Sequence, residues 1–163
     1  MKRRTLLGLV GGGVALTVGG AAAAELFLPE QATRVTDEGE AADATPFSRG
    51  SFVGKAGHDV SGTVTLARDD DGHLLQFEDY EQTQGPDVFV YLTPEADPDT
   101  KAAVDDGVKV LIDGGEDGGE STKLGTFTQR LEDVGDPTRF RGVAIWCDRF
   151  STPFGAATLD PVE

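Results

Sequence analysis

The chain has 163 residues, of which 29 are Asp or Glu and 14 are Lys or Arg, so its formal net charge is −15. Its single cysteine excludes an internal disulfide, a structural zinc site built on paired thiolates, and covalent attachment of c-type haem. The negative charge argues against a nucleic-acid partner, because affinity for phosphate backbones comes from Lys and Arg. The acidic composition is instead typical of proteins from high-salt organisms such as halophilic archaea, where salt screens self-repulsion.

The N-terminus has the parts of an export signal. Basic residues at positions 2–4 precede an apolar stretch from Leu6 to Ala24 that ends in small residues. This order is typical of a cleaved secretory signal, and the segment KRRTLL resembles a twin-arginine signal. The alternative is a retained membrane-anchor helix over residues 6–24, since about 20 apolar residues span a bilayer. We therefore predict a signal or anchor in residues 1–24 and an extracellular or cell-surface location.

The remaining chain divides into a linker and one folded domain. Residues 25–46 are rich in acidic side chains and have the composition of a flexible linker. The composition changes at Phe47, because all the aromatic residues except Phe27 lie between Phe47 and Phe154. We predict a folded domain over residues 47–160, large enough for one modest core.

Within this domain the apolar residues alternate with a period of two. The pair Asp71-Gly72 separates two alternating runs and predicts a β-hairpin. The segment 87–92, DVFVYL, is apolar on both faces, which predicts a central strand covered on both sides. Further short apolar runs lie at 108–112, 123–131, 140–147 and 154–159, and only 98–106 has a short helical pattern. The predicted fold is all-β, an antiparallel β-sandwich or small barrel of about seven or eight short strands.

Cys147 is the first candidate functional residue. On a strand it shares one face with Val143 and Ile145. A lone cysteine is most often a small buried hydrophobic residue. The functional alternative is a redox-active thiol, or a ligand to a metal or haem iron.

The two histidines are the candidates for a second ligand. His58 follows Gly57 and is the better of the two, whereas His73 follows the predicted hairpin turn and is expected to be solvated. Blue copper is disfavoured, because the only methionine is Met1 in the predicted signal. The acidic clusters at 69–71 and 113–120 favour solvated turns over calcium, since neither has the alternate spacing of an EF-hand loop.

Three ordered blocks carry a family resemblance. They are the glycine-rich opening around His58 from Gly50 to Gly62, the segment GPDVFVYL at 85–92, and the closing segment IWCDRFSTPFGAATL at 145–159. Together they resemble the DM-thirteen domain family, the electron-transfer domain of secreted and cell-surface proteins, from about Phe47 to Leu159. The resemblance implies a β-rich fold and a redox role for the single cysteine, here Cys147. That cysteine would act as a naked thiol or as a ligand to haem or another prosthetic group.

The sequence thus predicts an exported cell-surface domain with an electron-transfer or thiol-redox role centred on Cys147, rather than a turnover enzyme. His58 is the expected second ligand if a cofactor is bound, and haem, a metal ion or no cofactor all stay open. The expected partner is a membrane or cell-surface redox protein. The alternative is a cofactor-free binding or structural module of the cell envelope, in which Cys147 only packs the core.

Overall fold

The computed structural model describes residues 28–36 and 43–163. The predicted signal or anchor in residues 1–24 lies outside the described residues. In the described parts of the chain, no helix combines the length and apolar character needed to cross a membrane. The strands are β1 (Thr33–Thr36), β2 (Thr45–Gly54), β3 (Val60–Asp69), β4 (Gly72–Gln82), β5 (Val88–Thr93), β6 (Val108–Val110), β7 (Lys123–Arg130), β8 (Gly142–Cys147), β9 (Thr152–Thr158) and β10 (Asp160–Pro161). The helices are α1 (Lys101–Asp105), the irregular turn α2 (Glu116–Gly119) and a 3₁₀ helix (Pro137–Arg139).

The strands follow one hydrogen-bonded path, β1-β7-β4-β3-β2-β9-β8-β5-β6, with β10 beside β2. Strand β2 joins two sheets, because its residues 45–51 pair with β3 and its residues 52–54 pair with β9. The pairing of β1 with β7 is parallel, and the other pairings are antiparallel. The prediction of an all-β fold is confirmed as two mainly antiparallel sheets. Among the described residues there are ten strands rather than seven or eight, and no closed barrel.

The predicted hairpin joins β3 and β4. Asp69 pairs with Gly72, so the two residues of the loop are Asp70 and Asp71. The predicted loop, Asp71-Gly72, was one residue too late. The Asp69 carboxylate explains the shift, because its Oδ1 accepts a hydrogen bond from the Asp71 amide at 3.0 Å. Gly72 opens β4 with a φ of 127°, a backbone conformation that favours glycine.

Strand β5 confirms the predicted central strand. All six of its residues are buried, and its even-numbered residues face the main core, which both sheets share. Phe89 and Tyr91 face the other side, where they form a second cluster with Trp146 and with Val104 of α1. Helix α1 lies within the predicted 98–106, and its N-cap Thr100 accepts a hydrogen bond from the Ala103 amide.

Strand β1 lies within the segment that composition assigned to a flexible linker. Its four residues pair with β7, and the Thr33 amide donates to the Thr122 carbonyl at 2.8 Å. Gly125 of β7 allows this approach, because a Cβ there would lie 2.3 Å from the Val35 carbonyl oxygen. The short segment TRVT carries too few apolar residues to predict a strand. Its pairing fixes the preceding residues, including Glu30, against the domain.

Candidate functional site

Cys147 ends strand β8 and lies in the main core. It pairs with Val88 of β5 and with Thr152 of β9. Its exposure is 0 %, and Val143 and Ile145 share its core cluster as predicted. The strand end therefore places the only thiol of the chain under the loops that precede β5 and follow β8.

The Cys147 sulfur has polar partners on both sides. Its S–H donates to the Pro86 carbonyl at 3.1 Å. Burial raises the pKa of the Cys147 thiol above its ordinary value, and the charge of Asp87 raises it too. Hydrogen bonding by the Phe150 and Arg149 amides lowers this pKa, but by less than burial raises it. The net effect is a thiol that stays protonated at neutral pH. Its two amide donors are the groups that would stabilise a thiolate if the proton left.

Two turns cover this sulfur, residues Gly85–Asp87 and Asp148–Ser151, which we call the thiol cover. Arg149 Nε donates to Asp87 Oδ2 at 2.5 Å, and the Asp148 amide donates to the Asp87 carbonyl at 2.9 Å. Asp87 and Ser151 have positive φ values of 54° and 49°, which are characteristic of tight turns. The thiol cover is thus held closed by contacts between its two turns.

His58 lies beside the thiol cover but faces another partner. Its ring stacks on Phe154, with centroids 3.6 Å apart and planes 11° from parallel. Phe154 in turn packs on Gly85, where a Cβ would lie 2.7 Å from the ring. The three blocks of the resemblance therefore meet in space through Phe154. Among the described residues, no hydrogen bond joins His58 to Cys147.

Glycines shape the turn that carries His58. Gly57 has a φ of 83°, and a Cβ on Gly54 would lie 2.1 Å from the His58 carbonyl oxygen. Both positions therefore favour glycine, one for its backbone angle and the other for close approach. The other histidine, His73, is half-buried on β4 with its ring centroid 5.7 Å from that of Phe47. It is thus less solvated than the hairpin pattern predicted.

Cys147 and His58 do not belong to a group of clustered ligand side chains in the described part of the chain. In residues 28–36 and 43–163, one group of at least three His, Cys, Asp or Glu side chains has its ligand atoms close enough to hold a metal ion. That group contains neither Cys147 nor His58. Three surface cavities of the domain are also lined by other residues. A metal would need further donors, and a haem would need a cavity above the sulfur. The pairing of Cys147 with His58 as ligands stays a prediction.

A buried carboxylate lies on the other side of Asp87. Glu120 is 1 % exposed, although the sequence predicted solvated turns for 113–120. Burial, together with the negative charges of Glu30, Asp87 and Asp117, raises the pKa of Glu120 to about 7. The segment GGEDGGES gives no signal for this burial. It follows from the hydrogen bond of the Ser121 amide to the Val88 carbonyl at 2.7 Å, which docks the segment beside β5.

Comparison with protein families identifies the domain. Residues 51–159 match the family model described as Electron transfer DM13. The chain belongs to the Electron transfer DM13 family. The DM13 match contains His58, Cys147 and the thiol cover, and it leaves β1 and Glu30 outside. No match was found among curated proteins or among solved structures.

Proposed function

We propose that this DM13 domain transfers electrons outside the cell and that Cys147 is its redox group. The family membership supports the electron-transfer role. The observation that carries the assignment to Cys147 is its polar setting at the end of β8, where its S–H donates to the Pro86 carbonyl at 3.1 Å and the backbone amides of Arg149 and Phe150 oppose the rise of its pKa by burial. Amide donors stabilise a thiolate, whereas a cysteine that only fills space needs none.

A single cysteine limits the chemistry to exchange with another molecule. In the proposed step the Cys147 thiol loses its proton to solvent, and its sulfur attacks one sulfur of a partner disulfide. The new bond joins Cys147 to that sulfur, while the other partner sulfur leaves as a thiolate. The Cys147 sulfur is thereby oxidised, and the departing partner sulfur is reduced. Because the sulfur is fully buried, the thiol cover must open before this step.

We expect the partner to be a membrane or cell-surface redox protein. Phe150, in the turn that covers Cys147, is 53 % exposed and offers an apolar contact beside the sulfur. The extracellular location rests on the basic, apolar and small residues that begin the sequence. The excess of acidic residues supports a high-salt environment, in which the charge of the chain is screened.

A second candidate function is a binding or structural module of the cell envelope. The observation that favours it is the complete burial of Cys147 within the main core cluster. In that case the sulfur packs against hydrocarbon and takes part in no exchange. The two functions differ in whether the native protein reacts at Cys147.

The test is disulfide exchange in the native state, measured by mass spectrometry. Purified full-length protein is first checked by visible absorption and metal analysis and is then incubated with oxidised glutathione. We expect one mixed disulfide on the wild type and none on Cys147→Ser. Arg149→Ala should react faster, because it removes the ion pair between the two turns of the thiol cover. A native wild type that never reacts, while the urea-unfolded chain does, would support the structural module.

A further inference from the structure

Three carboxylates meet where the N-terminal segment reaches the domain. They belong to Glu30, just before β1, to Asp117 in α2, and to Glu120 directly after α2. One ligand oxygen of each lies within 4.8 Å of the other two. Two oxygens that each lie about 2.4 Å from one calcium ion are at most about 4.8 Å apart. A point within about 2.8 Å of all three oxygens therefore exists, which is close to the calcium–oxygen distance.

Glu120 supplies a second, independent observation. Its side chain is 1 % exposed, and its Oε2 has no hydrogen-bond partner among the residues that the structure describes. Buried polar atoms are nearly always paired, because leaving one without a partner costs about 1 to 3 kcal/mol or more. Since the Glu120 carboxylate belongs to the group of three, a cation held there would be the partner that this oxygen lacks.

The surrounding negative charges also favour a cation. Burial raises the pKa of Glu30 and of Glu120, and the nearby charges of Glu116 and Asp87, respectively, add to these shifts. Arg149 is the basic side chain that the structure places here, and its Nε is donated to Asp87. Five carboxylates thus lie close together, and like charges this close repel one another.

We propose that Glu30, Asp117 and Glu120 bind a calcium ion, which fastens the N-terminal segment to the domain. Oxygen ligands alone favour a hard cation, and calcium accepts carboxylates together with water in flexible geometry. Glu30 lies outside the residues that match the DM13 family, so one of the three ligands is not part of the family match. It is independent of the proposed redox role. We expect the dissociation constant of an extracellular module, about 10⁻⁴ to 10⁻³ M.

Thermal unfolding with calcium as the only added ligand tests this site. Full-length protein is stripped with a chelator and compared in about 10 mM calcium chloride and in sodium chloride of the same ionic strength. Calcium should raise the Tm of the wild type by about 5 to 10 °C more than sodium does. Equilibrium dialysis should find one calcium bound per chain at saturation.

Single-charge variants distinguish binding from general screening. Asp117→Asn and Glu30→Gln should lose the calcium-specific rise in Tm. Glu132→Gln, which removes one exposed acid outside the group, should keep it. Asp117 is exposed and Glu30 is half-buried, so neither variant opens a cavity in the core. A wild type with equal Tm in both salts would overturn the proposal, as would a full calcium shift in Asp117→Asn.

Discussion

Cys147 and Glu120 are two buried reactive groups on either side of Asp87, and their surroundings differ in one respect. The sulfur of Cys147 has a carbonyl acceptor and two amide donors within the fold. The carboxylate of Glu120 has one buried oxygen, Oε2, with no hydrogen-bond partner in residues 28–36 and 43–163. The comparison teaches that burial alone does not define a site. A buried group that has its hydrogen-bond partners within the fold needs no ligand, whereas a buried group that lacks a partner indicates one.

The largest loss of stability should come from removing the ring of Phe154, which packs near Cys147. Phe154→Ala should lower the free energy of unfolding by about 3 to 5 kcal/mol, because it removes a buried ring packed between His58 and Gly85. Urea unfolding measures the loss. Phe150→Ala is the matched control, since Phe150 is 53 % exposed and its truncation should change stability by no more than about 0.5 kcal/mol. Equal losses in the two variants would refute this packing account.

Cys147→Ala should be the next most damaging change. It removes a fully buried sulfur and its hydrogen bond to Pro86, so the free energy of unfolding should fall by about 1 to 3 kcal/mol. The same urea experiment measures this loss. No loss of stability would mean that the surrounding residues do not depend on the sulfur, contrary to the satisfied environment described above.

Glu120→Gln should raise the free energy of unfolding instead of lowering it. In chelator at neutral pH it replaces a buried negative charge near Glu30 and Asp117 with a neutral amide, so stability should rise by about 1 kcal/mol. Chemical unfolding of the chelated protein measures the gain, with Glu132→Gln as a control that should leave stability nearly unchanged. A loss similar to that of Cys147→Ala would remove the contrast between the two groups.

The smallest expected effect is on the thiol cover. The ion pair between Arg149 and Asp87 is partly exposed, so Arg149→Ala should favour local opening by up to about 1 kcal/mol. The rate of alkylation of Cys147 should then rise by about three- to fivefold. Arg49→Ala, which breaks an exposed ion pair with Glu78, is the control and should leave the rate unchanged. Equal rates in the two variants would show that the thiol cover does not limit access.

Alkylation should also depend on pH in a defined direction. Burial raises the pKa of Cys147, so the fold favours the protonated thiol. This contribution to stability is complete below the pKa of the unfolded chain and is lost as the pH rises through the higher folded pKa. Alkylation of the native protein should keep accelerating at pH values where the unfolded chain has already reached its plateau. Coincident pH profiles would contradict the raised pKa.

The sequence predicted the features that depend on local pattern. Alternation along 87–92 and 140–147 predicted which residues of β5 and β8 face the core, and the glycines around His58 predicted its tight turn. The three ordered blocks predicted the family and drew attention to Cys147. Each of these signals lies within a short stretch of chain, where side-chain periodicity and backbone angles act directly.

The features that escaped prediction depend on pairs that are distant in sequence. Strand β1 forms because it meets β7, and the thiol cover closes because Arg149 reaches Asp87. Glu120 is buried because Ser121 bonds to β5, and its neighbour Glu30 comes from outside the predicted domain. Composition correctly described these segments as polar, but polarity alone does not show which acid the fold encloses.

The most direct test of the redox assignment is a redox titration against mixtures of reduced and oxidised glutathione, in which mass spectrometry counts the mixed disulfides, and so the electrons, that each chain exchanges. The experiment compares purified wild type with Cys147→Ser, after circular dichroism has shown that both are folded. We predict that the wild type exchanges electrons and that Cys147→Ser exchanges none over the same range of potential. An equal number of electrons in both proteins would contradict Cys147 as the redox group of this DM13 domain.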